Sequence, residues 1–255
     1  MRLGLVSDIH GNAVALDAVL NDARRLGVER WWALGDLVLF GPRPVEVVEA
    51  LLALPSVAFV QGNTDRYVVT GEQPRPHATA ADAVGDVDLV ERFGSMSAAI
   101  GWTRGALCQA GHLEWLARLP RRQSLELADG SALLGIHASP GDDDGPGIDT
   151  TATDDDLARL LAGCEADVVV GGHTHDATDR TIGDIRALNP GSVGLPRRCV
   201  GASWMLIEAA DTYTRVEQRR VPFDVDEVVD DVHARRYPTA GFIEAILRHT
   251  HPFAH

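Results

Sequence analysis

With 255 residues, 45% hydrophobic and 24% charged, the chain is long enough to bury a full core and reads most simply as one domain spanning 1–255. A net charge of −14 argues against a nucleic-acid backbone or an anionic membrane as the main partner. Cys108, Cys164 and Cys199 are widely spaced, form no CxxC pair and read as reduced thiols of a cytoplasmic protein. Asp8 and His10 interrupt the only early apolar run, so neither a signal peptide nor a membrane span is expected.

The first strand, Leu3 to Ser7, ends abruptly in Asp8-Ile9-His10-Gly11-Asn12. Leu16, Val19, Leu20 and Ala23 then fall at helical spacing, with Gly27 where a C′ glycine belongs. Trp31 to Leu34 reads as a second buried strand, ending at Gly35-Asp36. Pro44 opens a helix running to about Leu54. Val57 to Val60 is a third strand, leading into Gly62-Asn63-Thr64-Asp65. Three such βα units imply parallel strands with right-handed crossovers, which put Asp8, Asp36 and Asn63 side by side along one sheet edge.

From about 70 to 120 the pattern turns helical, with helices expected over 96–107 and 112–119. This stretch is an insertion near the sheet edge, either a lid or a plain connecting layer. Residues 124–127 and 132–136 suggest a hairpin around Asp129-Gly130, and its second strand ends at His137. An acidic loop over 140–156 leads into a helix whose start carries the capping-box pair Thr153 and Asp156. Val168 to Val170 is another buried strand, followed by Gly171-Gly172-His173-Thr174-His175. Short strands near 182, 185–188, 203–208 and 214–220 are expected to complete a second sheet, and 224–255 to form two helices broken at Pro238.

Seven donors thus follow strand ends: Asp8, His10, Asp36, Asn63, His137, His173 and His175. Carboxylate, amide and imidazole without thiolate suit Mn, Fe or Zn and argue against a structural cysteine site. Seven are too many for one ion, but with one bridging carboxylate they serve two ions about 3.5–4 Å apart. Either aspartate alone could be a helix N-cap; their recurrence at successive strand tips favours ligation.

The order Asp-x-His, Gly-Asp, Gly-Asn-x-Asp, His, Gly-His-x-His resembles the calcineurin-like metallophosphoesterase superfamily, and Asn189-Pro190-Gly191-Ser192 resembles a segment of its small prokaryotic phosphodiesterase-like branch. The resemblance implies a four-layer α-β-β-α sandwich of two mixed sheets. It implies one transition-metal ion on Asp8, His10 and His175, a second on Asn63, His137 and His173, and Asp36 as the bridge. It further implies a bridging hydroxide as nucleophile, with Asp36, Asn63 and His173 as catalytic residues, so no covalent intermediate is expected. Two divalent ions less two carboxylates and a hydroxide leave about one positive charge to attract a phosphate in an otherwise acidic protein.

Many members carry His after the Gly-Asn pair, whereas this chain has Thr64. A hydroxyl can donate to a phosphate oxygen but does not titrate near neutrality, so protonation of a poor leaving group is in doubt. Diesters such as cyclic nucleotides or dinucleoside polyphosphates are therefore favoured over simple monoesters. The alternatives are a phosphomonoesterase, including a phosphoprotein phosphatase, and a non-catalytic scaffold like the retromer subunit of this fold. A nuclease is disfavoured for want of a basic patch.

Asn12, Thr64 and Arg66 are candidates for binding the substrate phosphate beside Asn63. Capping the first helix rivals that role for Asn12, and an ion pair with Asp65 or another surface acid rivals it for Arg66. Ser192 reads as structural, and His249-Thr250-His251 as a solvated tail despite matching the ligand tripeptide. His77 and His112 lie in the insertion and could reach the site. Asp142-Asp143-Asp144 does not fit the EF-hand template and is expected to be a solvated loop; if it lies near the site mouth, its neutralisation should improve turnover of polyphosphates.

Overall fold

The computed structural model describes residues 1–74, 81, 82, 84 and 86–250. Along the chain run β1 (Arg2–Val6), α1 (Ala13–Arg25), β2 (Arg30–Ala33), α2 (Pro44–Leu52), β3 (Val57–Phe59), α3 (Asn63–Thr70), α4 (Val87–Ala110) and α5 (Leu113–Ala117). There follow β4 (Gln123–Glu126), β5 (Ala132–Gly135), α6 (Asp154–Leu160), β6 (Val168–Val170), β7 (Thr178–Ile182), β8 (Ile185–Asn189), β9 (Ala202–Ala210), β10 (Tyr213–Val221), α7 (Val225–Ala234) and α8 (Ala240–Leu247).

The strands form two mixed five-stranded sheets, ordered β10-β9-β1-β2-β3 and β4-β5-β6-β8-β7. Neighbours β1, β2 and β3 are parallel, as are β5, β6 and β8; the remaining pairings are antiparallel. Side-chain alternation sorts the core into layers. Leu3, Leu5, Trp32, Val168, Val170, Met205 and Ile207 pack between the sheets. Trp31, Trp204 and Leu206 face outward instead, against α1, α2 and the helices that follow α3. Val169 and Ala187 face α6 through Leu161. Helix, sheet, sheet and helix are therefore stacked as the motifs implied. The sheets pack tightly where Gly135 faces Trp32: a Cβ at 135 would stand 2.8 Å from the indole ring.

Two expectations need correction. The strands over 203–208 and 214–220 do not join the second sheet; β9 pairs with β1 and brings β10 with it. Seven of the nine β9 residues are buried. Such a strand needs an interior position, and the free side of β1 supplies one, but periodicity alone does not name the partner. The insertion helix expected over 96–107 instead begins at Val87, capped by Asp86, whose carboxylate accepts from Leu89 N–H at 3.0 Å. Its first turns carry the exposed Val87 and Val90, and so lack the apolar stripe that marks its buried second half.

Among the described residues no helix is long and apolar enough to cross a membrane. Cys108, Cys164 and Cys199 are free thiols.

Candidate metal centre

The ends of β1, β2 and β3 carry Asp8, Asp36 and Asn63, and those of β5 and β6 carry His137 and His173, so both sheets aim donors into one cleft. Five of the seven predicted donors have left-handed backbones: Asp8 (φ 54°), His10 (φ 50°), Asp36 (φ 55°), His173 (φ 70°) and His175 (φ 59°). Asp, Asn and His are the side chains that tolerate this region best, yet each instance still costs about 1–3 kcal/mol. The cost is met by the turns around them: Asp8 N–H donates to Gly35 O at 3.0 Å, His10 N–H to Asp36 O at 2.9 Å and Gly11 N–H to Leu37 O at 2.9 Å. Glycine at 62 and 172 allows the close approach. A Cβ on Gly62 would stand 2.2 Å from Asp36 Oδ1, and one on Gly172 1.8 Å from Ser7 Oγ.

Asp8, His10 and His175 bring one donor each within 4.8 Å of one another, and so do Asp8, Asp36 and His137. His175 Nε2 lies 3.3 Å from Asp8 Oδ1. Asp36 has one oxygen 3.3 Å from His137 Nε2 and the other 3.8 Å from His10 Nε2. Asn63 Oδ1 lies 3.0 Å from His137 Nε2 and 3.2 Å from His173 Nδ1. The sequence-predicted donors are thus brought together in two groups that share Asp8, and Asp36 reaches from His137 toward His10.

Whether an ion fits can be tested on the imidazoles. His10, His137 and His175 each place Nδ1 against a backbone carbonyl, that of Leu39 at 2.9 Å, Leu34 at 2.7 Å and Leu195 at 2.7 Å. Donation to those carbonyls leaves each Nε2 as a lone pair aimed into the cleft, the orientation that metal-binding histidines take. The Nε2 atoms of His10 and His175 lie 3.1 Å apart, where two lone pairs repel unless a proton or a cation lies between them. The site fits a cation.

Without an ion these groups charge one another. Burial, reinforced by His175, pushes the His10 imidazole down to about 4. Burial also opposes charge on His137, but Asp36 and Asp8 outweigh it and hold the imidazole at about 10. His175 is raised against its burial by Asp8. Asp36 is held well below the carboxylate range by His137, His10 and His173, although burial pulls the other way. Asp8 is lowered in the same manner by His175 and His137. Burial and then His137 lower His173.

The remaining predicted site residues divide. Asn12 is committed at both ends of its amide: Oδ1 caps α1 at Ala15 N–H, 3.0 Å away, and Nδ2 donates to Gly194 O at 3.1 Å. Thr64 N–H donates to Asp36 Oδ1 at 2.9 Å, and its buried Oγ1 has no hydrogen-bond partner among the described residues. Arg66 does not pair with Asp65; it grips Asp143, Nε at 2.9 Å and Nη2 at 3.0 Å, and also pairs with Glu72. The acidic loop is accordingly no solvated segment. Asp143 is buried between Arg66 and Arg121, and Asp144 accepts from Tyr67 Oη at 2.6 Å and from Asn63 Nδ2 at 3.2 Å.

Ser192 Oγ donates to Asp8 O at 2.7 Å and accepts from Leu195 N–H at 2.8 Å, a structural role. His112 stands at the start of α5, 3.9 Å from Glu49, and joins no donor group. His249 follows α8, while His77 and His251 lie outside the described residues.

Sequence reasoning missed Asp65, which is fully buried and accepts from Leu37 N–H at 2.8 Å and Gly62 N–H at 3.0 Å, buttressing the loops that carry Asp36 and Asn63. Burial and the neighbouring Asp36 raise its carboxyl to about 7. The capping spacing from Gly62 to Asp65 was the available signal.

Comparison with known proteins agrees with this geometry. The family profile described as calcineurin-like phosphoesterase superfamily domain matches residues 1–212. A metallophosphoesterase structure from Sphaerobacter thermophilus superimposes with a TM-score of 0.73 at 28% identity, covering 97% of this chain and 98% of that one. The fold is also that of a hypothetical protein from Pyrococcus horikoshii, with a TM-score of 0.79 at 23% identity over 96% and 97% of the two chains. An uncharacterised protein of Methanocaldococcus jannaschii is 28% identical over 252 residues, 92% of this chain and 93% of its own. The chain belongs to the calcineurin-like phosphoesterase superfamily and is a metal-dependent phosphoric ester hydrolase.

Proposed function

We propose that the protein is a binuclear phosphodiesterase acting on small-molecule phosphate esters. The observation that carries the binuclear reading is Asp36, one of whose oxygens lies near His137 and the other near His10. Asp8, His10 and His175 would hold one ion, and Asn63, His137 and His173 the other. When bound, such a pair supplies Lewis acidity at phosphoryl oxygens and a water acidic enough to act as nucleophile at neutral pH.

The chain's own part is positioning. The carbonyls of Leu39, Leu34 and Leu195 hold three imidazoles in one tautomer. The Thr64 hydroxyl, one residue from Asn63 and without a partner among the described residues, is available to donate to a substrate phosphate oxygen. Arg66 is occupied by acids and is not the phosphate clamp. Since the Thr64 hydroxyl can donate a hydrogen bond but does not titrate near neutral pH, the leaving group must be good or carry its own stabilisation, which favours activated esters and diesters over alkyl monoesters.

The test is the Mn²⁺-dependent rate on bis-(p-nitrophenyl) phosphate beside p-nitrophenyl phosphate, with Asp36→Asn as control. A higher diester rate lost in the control supports the proposal. A monoester preference would point to a phosphatase instead. Thr64→His should raise the monoester rate selectively; rates unchanged from the wild type on both classes would count against the role given to Thr64.

A further inference from the structure

Beside the metal centre lies a cavity of about 520 Å³ walled by Phe40, Phe93, Phe242, Met96, Leu89 and Pro74. It lies between the first turns of α4, the start of α8 and the loop that follows Asp36. Phe40 joins this cavity to the centre: its ring centroid is 5.8 Å from that of the candidate ligand His10 and 5.8 Å from that of Phe242.

The backbone at Phe40 is left-handed, φ 74°, which is unusual for a bulky residue. It is pinned there by its N–H donating to Tyr237 Oη at 2.9 Å, and by the preceding carbonyl, which accepts from His10 at 2.9 Å. A conformation that costs about 1–3 kcal/mol is retained where it places a side chain, and here it places a phenyl ring between a metal ligand and a cavity.

We propose that this cavity receives the aromatic group of a phosphate ester whose phosphate sits at the metal centre. The proposal rests on the phosphoesterase reading for where the phosphate goes, and on the cavity itself for what is attached to it. Three phenyl rings and a thioether suit a planar ring better than an aliphatic chain, while Glu91 and Arg92, which also line the cavity, are exposed. The volume falls in the range of small-molecule sites and exceeds what inorganic phosphate or a methyl ester would fill. Gln73, Ser95 and Thr239 lie among its lining residues and give polar ring substituents partners.

The test uses three probes on the metal-loaded protein: 1-naphthol, inorganic phosphate, and 1-naphthylmethylphosphonate, which has no scissile ester. The phosphonate should bind at least about tenfold more tightly than either simpler probe, the effect of burying one aromatic ring. Phe242→Ala, at a partly exposed position, should reduce its affinity to that of phosphate, and Met96→Ala should weaken it by about tenfold. Equal phosphonate affinity in the wild type and both variants, or no naphthol binding to the wild type, overturns the proposal. Naphthol binding that Phe242→Ala abolishes, with no gain from the phosphonate group or the metal, would overturn the phosphoesterase assignment of the centre while leaving an aromatic site at the cavity.

Discussion

The side-chain amide of Asn63 donates to Asp144 at 3.2 Å and to Tyr67 Oη at 3.3 Å, so its oxygen is the atom turned toward His137 and His173. An asparagine is a competent metal donor only in that orientation, and the acidic loop enforces it from 81 residues along the chain. Asp144→Ala should weaken metal binding by about 10–100-fold, the usual effect of losing a group that orients a ligand. Titration of the metal-free protein with Mn²⁺ or Zn²⁺ checks this, and activity should return at high metal concentration.

Arg66 gives a contrasting expectation. Its guanidinium is largely buried against Asp143, with Glu72 and Asp144 beside it. Arg66→Ala leaves buried carboxylates short of a partner and should cost about 3 kcal/mol, read from the urea midpoint. KM for a phosphate ester should change little, because the side chain is not free to hold substrate. A large rise in KM at undiminished stability would reassign Arg66 to the phosphate. For the same reason, neutralising Asp142, Asp143 and Asp144 together should damage the site, not open it to polyphosphates.

The buried imidazoles set a pH dependence. His137 binds its proton more tightly in the folded, metal-free protein, with a pKa of about 10 against 6.5 for the free side chain, and His175 is raised in the same direction. Their contribution to stability is therefore complete below 6.5 and is lost as pH rises toward 10. Thermal melts of metal-free protein between pH 6.5 and 10 should show that decline, and His137→Asn should flatten it. A metal entering the site must expel these protons, so its affinity should fall on acidification, by up to about tenfold per pH unit for each proton released. Calorimetry in two buffers of different ionisation enthalpy measures the protons directly.

Gly62 faces Asp36 so closely that an added methyl group would overlap the carboxylate oxygen. Gly62→Ala should destabilise the protein by about 1–3 kcal/mol or more and displace the residue between the two donor groups. Metal content after dialysis, beside the melting temperature, would register both effects.

The donors were legible because each sits where a strand of apolar residues stops: Asp8 after Val6, Asp36 after Leu34, His137 after Ile136. The layered fold was legible through the family resemblance that these motifs carry. What stayed hidden depends on distant partners. The run 203–208 reads as a strand, but nothing within it says that β1 and not β8 is its neighbour. Asp143 and Asp144 look like any exposed acidic turn until α3 supplies Arg66 and Tyr67. Asp65 is distinguishable from a surface acid only through the two backbone amides that fold back onto it.

The division of donors between the sheets has a consequence for how the molecule assembles. Asp8, His10, Asp36 and Asn63 arise from the first sheet, while His137, His173 and His175 arise from the second. A bound ion would rivet two halves that otherwise meet through apolar side chains such as Trp32 and Leu133 and through hydrogen bonds such as that from His173 N–H to Asp8. Metal loading should therefore slow unfolding more than it speeds folding, since the rivet closes only after the halves have docked. Crowding the seam at Gly135 would then loosen the ions from a distance.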